Sequence, residues 1–473
     1  MTNSEGRTAR LGKTGLVAEN KRLPAKILLW CFLLTAPLHA SEPLNFAAPS
    51  ELPGVTREMK TAGFWIARHP KPDQLIMKPA EIAKFNGRVR GSGLTEDVAE
   101  LPEAYDGAKL KSEITSTVGE LKGRKLYQKD LSPADERFYD TIFASLGLES
   151  IPERVPVRFG FITRTADERL LPTGLALNAQ PGDVDFDELQ NNGLEIGTVV
   201  AVLSSTQDGG WLFVHDPLAS GWVEANRVAL VTRGELLAYL KNKNRVIVTV
   251  PKADVYLDSK LTKHLAAVKM GARFFLKNTV GQTVEILLPT RLDDGNTQLL
   301  TGFIAREEVS IGYLPYTVRG VYRQAFKMLH EPYGWGDMYG EQDCSRLLQM
   351  VFATFGFDLP RNSASQARTG RSVAEFKPAT PTDKKLVTIL ASSPGLTILQ
   401  LRGHIMLYLG EVNGQPYAIH SIWAYHEKGP DGKERARLLN RVSITGLDLG
   451  KGSEKKSLLE RIVSIREIVA DKR

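Results

Sequence analysis

Cysteine is nearly absent from this chain: 473 residues carry two, Cys31 and Cys344. Cys31 lies in a segment expected to be removed, which leaves one thiol and excludes an internal disulfide. Long apolar runs are also scarce. The one candidate, residues 27–38, is too short to span a bilayer comfortably. No dense basic stripe with interleaved aromatics occurs, so nucleic acid is not an expected partner. No Cys/His/carboxylate cluster has zinc spacing, and no phosphate loop or dinucleotide fingerprint appears. No metal and no cofactor is expected.

The formal charge is +7, and much of it sits at the front. Residues 1–40 hold Arg7, Arg10, Lys13, Lys21, Arg22 and Lys26 against Glu5 and Glu19, so their removal leaves +3. Lys21, Arg22 and Lys26 precede the apolar run and Ala40-Ser41 follow it, the pattern of a secretory signal over 1–40. Leu38 is large for the position three residues before a cut at Ala40. An exported, periplasmic or cell-envelope location is expected, with no membrane attachment once the signal is cleaved.

With 42% apolar residues the chain can bury several cores, and its length favours several domains. Prolines 43, 49, 53, 70, 72 and 79 break the region 41–150 into an irregular, partly helical segment. Ser132-Pro133-Ala134-Asp135-Glu136 predicts a helix over 133–147, with Phe138, Ile142 and Leu146 buried. Short β-rich runs separated by turns fill 151–235, and a second such block fills 240–313. Each predicts a small barrel. From 314 to 473 the pattern becomes helix, helix, then strands. Residues 344–356 read as a helix with Leu347, Leu348, Val351, Phe352 and Phe355 on one face. Ser363-Ala-Ser-Gln366 has capping-box spacing.

Gly334-Trp335-Gly336 leads to Asp343-Cys344-Ser345, which places Cys344 at a helix start. There the helix dipole and free N–H groups favour a thiolate, with Asp343 as cap. The N–H of Cys344 would also face an oxyanion. A cysteine nucleophile needs a base, and seven histidines follow Ala40. His404 and His420 fall on adjacent strands of one hairpin turning at Asn413-Gly414. A strand-held base oriented by a second polar group is the arrangement of a Cys-His-X triad. A strict two-residue turn puts the two histidines on opposite faces. A bulge or a three-residue loop is therefore predicted between them.

Tyr333-Gly-Trp-Gly, Asp343-Cys344-Ser345, Leu359-Pro-Arg-Asn-Ser363 with Gln366, Gly403-His404-Ile-Met-Leu-Tyr-Leu-Gly and Ile419-His420-Ser resemble the NlpC/p60 cysteine peptidases. Val157-Arg-Phe-Gly-Phe-Ile-Thr-Arg, Leu171-Pro-Thr, Trp211-Leu-Phe-Val and Gly221-Trp-Val resemble the bacterial SH3-type domains that precede such peptidases. Phe64-Trp65 and Ile82-Ala-Lys-Phe-Asn86 are similar to their N-terminal stabilising segment. The resemblance implies a multidomain chain: an α+β papain-like C-terminal domain, 314–473, behind two all-β SH3-like barrels and the irregular segment. It implies a γ-D-glutamyl-L-diamino acid endopeptidase, acting on murein stem peptides at the γ-D-glutamyl–diaminopimelate bond. Cys344 would be nucleophile, His404 base and His420 the orienting third member. Trp335, Asp343, Ser345, Asn362 and Ser363 would line the substrate groove. Arg346 stands where relatives often have glycine, and Asn362 where some have Asp. A monomer is expected. Two other readings remain: a wall-peptide-binding protein with a degenerate peptidase domain, and an amidase or acyltransferase on the same fold.

Overall fold

The computed structural model describes residues 52–470, apart from residue 430. The expected signal over 1–40 lies outside the described residues. Among those described, no helix is long and apolar enough to cross a membrane.

The N-terminal segment is largely helical between its prolines. Ala62–Arg68 is capped by Thr61, Pro79–Gly91 opens on proline, and Gly107–Lys122 is capped by Asp106. The next helix runs Glu136–Ser145, three residues later than the predicted start. Asp135 takes the cap, accepting the Phe138 N–H at 3.0 Å, while Ser132 is bound to Asp130 in the preceding loop. A carboxylate at the cap outcompetes the serine hydroxyl upstream because it also meets the positive helix end.

Two seven-stranded antiparallel sheets follow. The first runs, edge to edge, Gln190–Leu194, Ala166–Arg169, Ser220–Glu224, Trp211–His215, Val199–Ser205, Arg158–Ile162, Val228–Val231. The second uses strands between Arg245 and Ile311. The two small all-β SH3-like units expected from the sequence are present, and in neither do the outer strands pair with each other to close the barrel. Phe159, Phe161 and Trp222 fill the core between the first sheet and the N-terminal helices.

The C-terminal domain packs helices on a six-stranded antiparallel sheet. Its order is Arg371–Glu375, Ile462–Glu467, Thr397–Leu401, His404–Val412, Gln415–Lys428, Glu434–Gly446. The helix Cys344–Ala353 is buried on every side, not along one stripe alone. Its apolar residues join Tyr316, Tyr408 and the N-terminal Trp65 and Phe85 in one core. Arg346 and Gln349 face the other way, into polar contacts described below. The predicted capping box at Ser363 is not formed: Asn362 caps the single turn Ser363–Gln366, and the Gln366 amide reaches back to the Ser345 and Pro360 carbonyls.

The predicted bulge is present. Tyr408 pairs with Ala418 but Gly410 with Tyr417, leaving Leu409 as the extra residue before the tight Asn413-Gly414 turn. That insertion changes the parity of the pairing, so His404 and His420 share a face. Gly410 sits at φ +129°, where a side chain is strained. Gly410→Ala is expected to cost about 1–3 kcal/mol in urea unfolding.

Candidate active site

Cys344 is the first residue of its helix, with Asp343 accepting the Arg346 N–H at 2.8 Å as cap. The thiol is buried, 7% exposed. Burial pushes its pKa up to about 12, and the Asp343 charge adds to this, while N–H groups of Ile405 and Ser345 and the charge of Arg361 pull the other way. Of these influences burial is the largest, and it acts against the thiolate.

His404 opens the strand packed against this helix. Its Nε2 lies 2.6 Å from Nδ1 of His420, and Nε2 of His420 lies 2.9 Å from the Thr445 hydroxyl. His420 and Thr445 are fully buried. The Nδ1 of His404 lies outside this contact, and the N–H of the next residue, Ile405, reaches the Cys344 sulfur. Burial, helped by the charge of Arg461 and opposed by Asp343, pushes the His404 pKa down to about 4. Burial and the neighbouring His404 push His420 down as well. Burial thus biases both imidazoles toward their neutral forms.

The other expected residues separate into two groups. Asp343 and Ser345 are buried and bound to each other at 2.8 Å; Arg361 ion-pairs with Asp343 at 2.9 Å and donates to Ser345. Burial works against the Asp343 carboxylate, but Arg361 holds its pKa below the usual range. Asn362 is exposed and spends its side chain on the cap, with half-buried Ser363 beside it. Trp335 is half-buried, and its indole N–H donates to the Asp187 carbonyl of the first sheet region.

Three further aromatics meet there; Tyr333 belongs to the motif beside Trp335, whereas Phe186 and Trp423 did not stand out in the sequence. Phe186 lies edge-on to Trp335 and Trp423, with ring centroids 5.3 Å away in each case, and Tyr333 is 5.9 Å from Trp423. Burial, with the charges of Cys344 and Asp343, raises the Tyr333 pKa, and the four half-buried rings form one aromatic wall. Phe186 comes from the first SH3-like region, so that region contributes to the wall.

Beneath the site runs a charged network. Asp337, fully buried and at φ +74°, meets Arg346 at 3.2 Å and lies 3.7–3.8 Å from Arg361 and Lys269. The Gly193 N–H donates to it. Arg361 also donates to Asn192 at 2.8 Å. Arg346 is thus half of a buried lock on the first sheet. A separate cavity of about 370 Å³ lies against the opposite face of the Cys344 helix, lined by Arg346, Gln349, Met350 and Ala353.

Residues 330–422 match the family model for the NlpC/P60 family, and residues 177–224 match that of the SH3 domain of SH3b1 type. The chain carries an NlpC/P60 domain. Members of this family are cysteine-peptidase-type enzymes that generally hydrolyse cell-wall peptides. The structure of an NlpC/P60 endopeptidase from Photobacterium damselae subsp. piscicida is similar in fold. Its TM-score is 0.70 at 20% identity, covering 87% of this chain and 98% of that one. An NlpC/P60 family protein from Bacillus cereus is 16% identical with a TM-score of 0.47, covering 66% of this chain and 99% of that one. Among curated proteins no match is found.

Proposed function

We propose that this NlpC/P60 protein is an extracytoplasmic cysteine endopeptidase that opens the γ-D-glutamyl–diaminopimelate bond of murein stem peptides. The observation that supports this most is the buried His404–His420 contact on the strand packed against the helix that starts at Cys344. In this reading Nδ1 of His404 takes the Cys344 proton as sulfur attacks the γ-carbonyl carbon. The C–S bond forms, and the carbonyl oxygen gains the negative charge facing the Cys344 N–H. Collapse breaks the C–N bond, and His404 returns the proton to the leaving amine. Water, deprotonated by His404, then hydrolyses the thioester and frees L-Ala–γ-D-Glu.

Trp335 and its aromatic neighbours form the groove wall in this reading. Asn362 and Ser363 stand at the rim. Asp343 and Ser345 set the floor through Arg361.

Products from defined murein tri- and tetrapeptides, identified by mass spectrometry, test the assignment. Release of L-Ala–γ-D-Glu is expected. Cleavage at any other bond, or binding without cleavage, would reject it in favour of the amidase or wall-binding readings.

The pH dependence follows from the direction of the His404 shift. An imidazole at its ordinary value near 6.5 would lose base function as pH falls through that point. With its pKa pushed down to about 4, His404 stays neutral far below this. The rate kcat/KM is expected to hold from pH 7 to about 5 and to fall only as pH approaches 4. Circular dichroism at each pH separates this limb from unfolding.

A further inference from the structure

We infer that Thr445 is a positioning residue of the catalytic relay: its hydroxyl accepts a hydrogen bond from His420 and thereby fixes the tautomers of both histidines. The inference rests on the Cys344–His404 reading above and extends it by one residue.

The geometry leaves two ways to arrange the protons. His404 Nε2 and His420 Nδ1 are 2.6 Å apart, so one carries a proton and the other a lone pair. His420 Nε2 and Thr445 Oγ1 are 2.9 Å apart, and the hydroxyl is able to donate or accept. If Thr445 donates, His420 carries its proton on Nδ1 and gives it to His404 Nε2. A neutral His404 then holds its own proton on Nδ1, the nitrogen assigned to the thiol in that reading, where it has no lone pair for the Cys344 proton. If Thr445 accepts, His420 is protonated on Nε2 and its Nδ1 accepts from His404 Nε2–H. The Nδ1 lone pair of His404 is then free to act as base. Only the second arrangement serves the chemistry.

A carboxylate in the third position would enforce this tautomer by being an acceptor only. Histidine enforces nothing by itself, because its two nitrogens exchange roles. Its far nitrogen touches Thr445, fully buried on the strand Glu434–Gly446, and the base role of His404 requires that hydroxyl to accept. Ser443, directly opposite His420 in the ladder, makes no such contact with the ring. The relay is therefore Cys344, His404, His420, Thr445.

Histidine 15N chemical shifts of the wild-type chain, Thr445→Val and Thr445→Ser test this, together with the rate of Cys344 alkylation by iodoacetamide at pH 7. Alkylation is read by mass spectrometry on the Cys344 peptide. Neither readout needs a murein substrate. The wild type is expected to show His404 and His420 both protonated on Nε2 and bare on Nδ1. Valine keeps the shape without the acceptor and is expected to mix the tautomers and slow alkylation about ten-fold or more. Serine is expected to restore both. A wild-type His404 protonated on Nδ1, or a valine variant with unchanged shifts and alkylation, would overturn the inference. So would a serine variant no better than valine. Should the valine variant not fold, the wild-type and serine spectra decide. If the tautomers are as stated but stem peptides are not cut, the relay stands and the substrate assignment falls.

Discussion

Cys344→Ala is expected to abolish peptide cleavage, lowering kcat by at least about 10⁴-fold, while leaving the fold intact. The loss is large because the covalent route is removed whole, and a base without its nucleophile retains little. The side chain is buried but small, and it opens a helix whose cap, Asp343, is bonded to Arg346 and Ser345 independently of the sulfur. Truncation to alanine therefore removes chemistry with little packing cost. Rates on a murein tripeptide, set against thermal unfolding of the same preparations, check both halves of the expectation. A wall-binding protein with a degenerate site would show neither the rate in the wild type nor the loss in the variant.

Arg361→Ala is expected to cost about 3–5 kcal/mol of stability, the largest effect of a single change away from the thiol. Its guanidinium is buried and meets Asp343 at 2.9 Å, Asn192 at 2.8 Å and Ser345 at 3.2 Å, with Asp337 further off. Removing it strands the Asp343 carboxylate in a low-dielectric site and cuts a tie between the peptidase domain and the first sheet. Arg361→Lys would rescue only part, because an ammonium cannot present the forked set of donors that these three partners use. Urea unfolding of the three proteins measures this. Activity is expected to fall as well, since Arg361 lies under the cap of the nucleophile's helix. A ΔΔG below about 1 kcal/mol for the alanine variant would mean that the buried network contributes little.

What was legible in the sequence was local or governed by a period. Cys344 at a helix start follows from the Asp-Cys-Ser cap and the apolar spacing behind it. The bulge between His404 and His420 follows from parity alone: two side chains expected to act together, sixteen residues apart across a two-residue turn, need one extra residue. The structure supplies it at Leu409. What was not legible depended on distant partners. Nothing near Phe186 announces that it meets Trp335 and Trp423, some 150 and 240 residues on. Asp337 stands in a glycine-rich loop that reads as a turn, yet it is the centre of the buried network because Arg346, Arg361 and Lys269 converge on it. The thiol's raised pKa escaped for the same reason. A helix N-terminus is visible in sequence, whereas the burial that pushes the thiol pKa up is assembled by the surrounding fold.

Trapping of the acyl-enzyme tests the central claim most directly. The wild-type chain would be mixed with L-Ala–γ-D-Glu–diaminopimelate, quenched in acid within the first turnover and digested for mass spectrometry. The account predicts an L-Ala–γ-D-Glu acyl group on the peptide that carries Cys344. Turnover with that peptide unmodified and the acyl group on another side chain, or continued cleavage by Cys344→Ala, would contradict it.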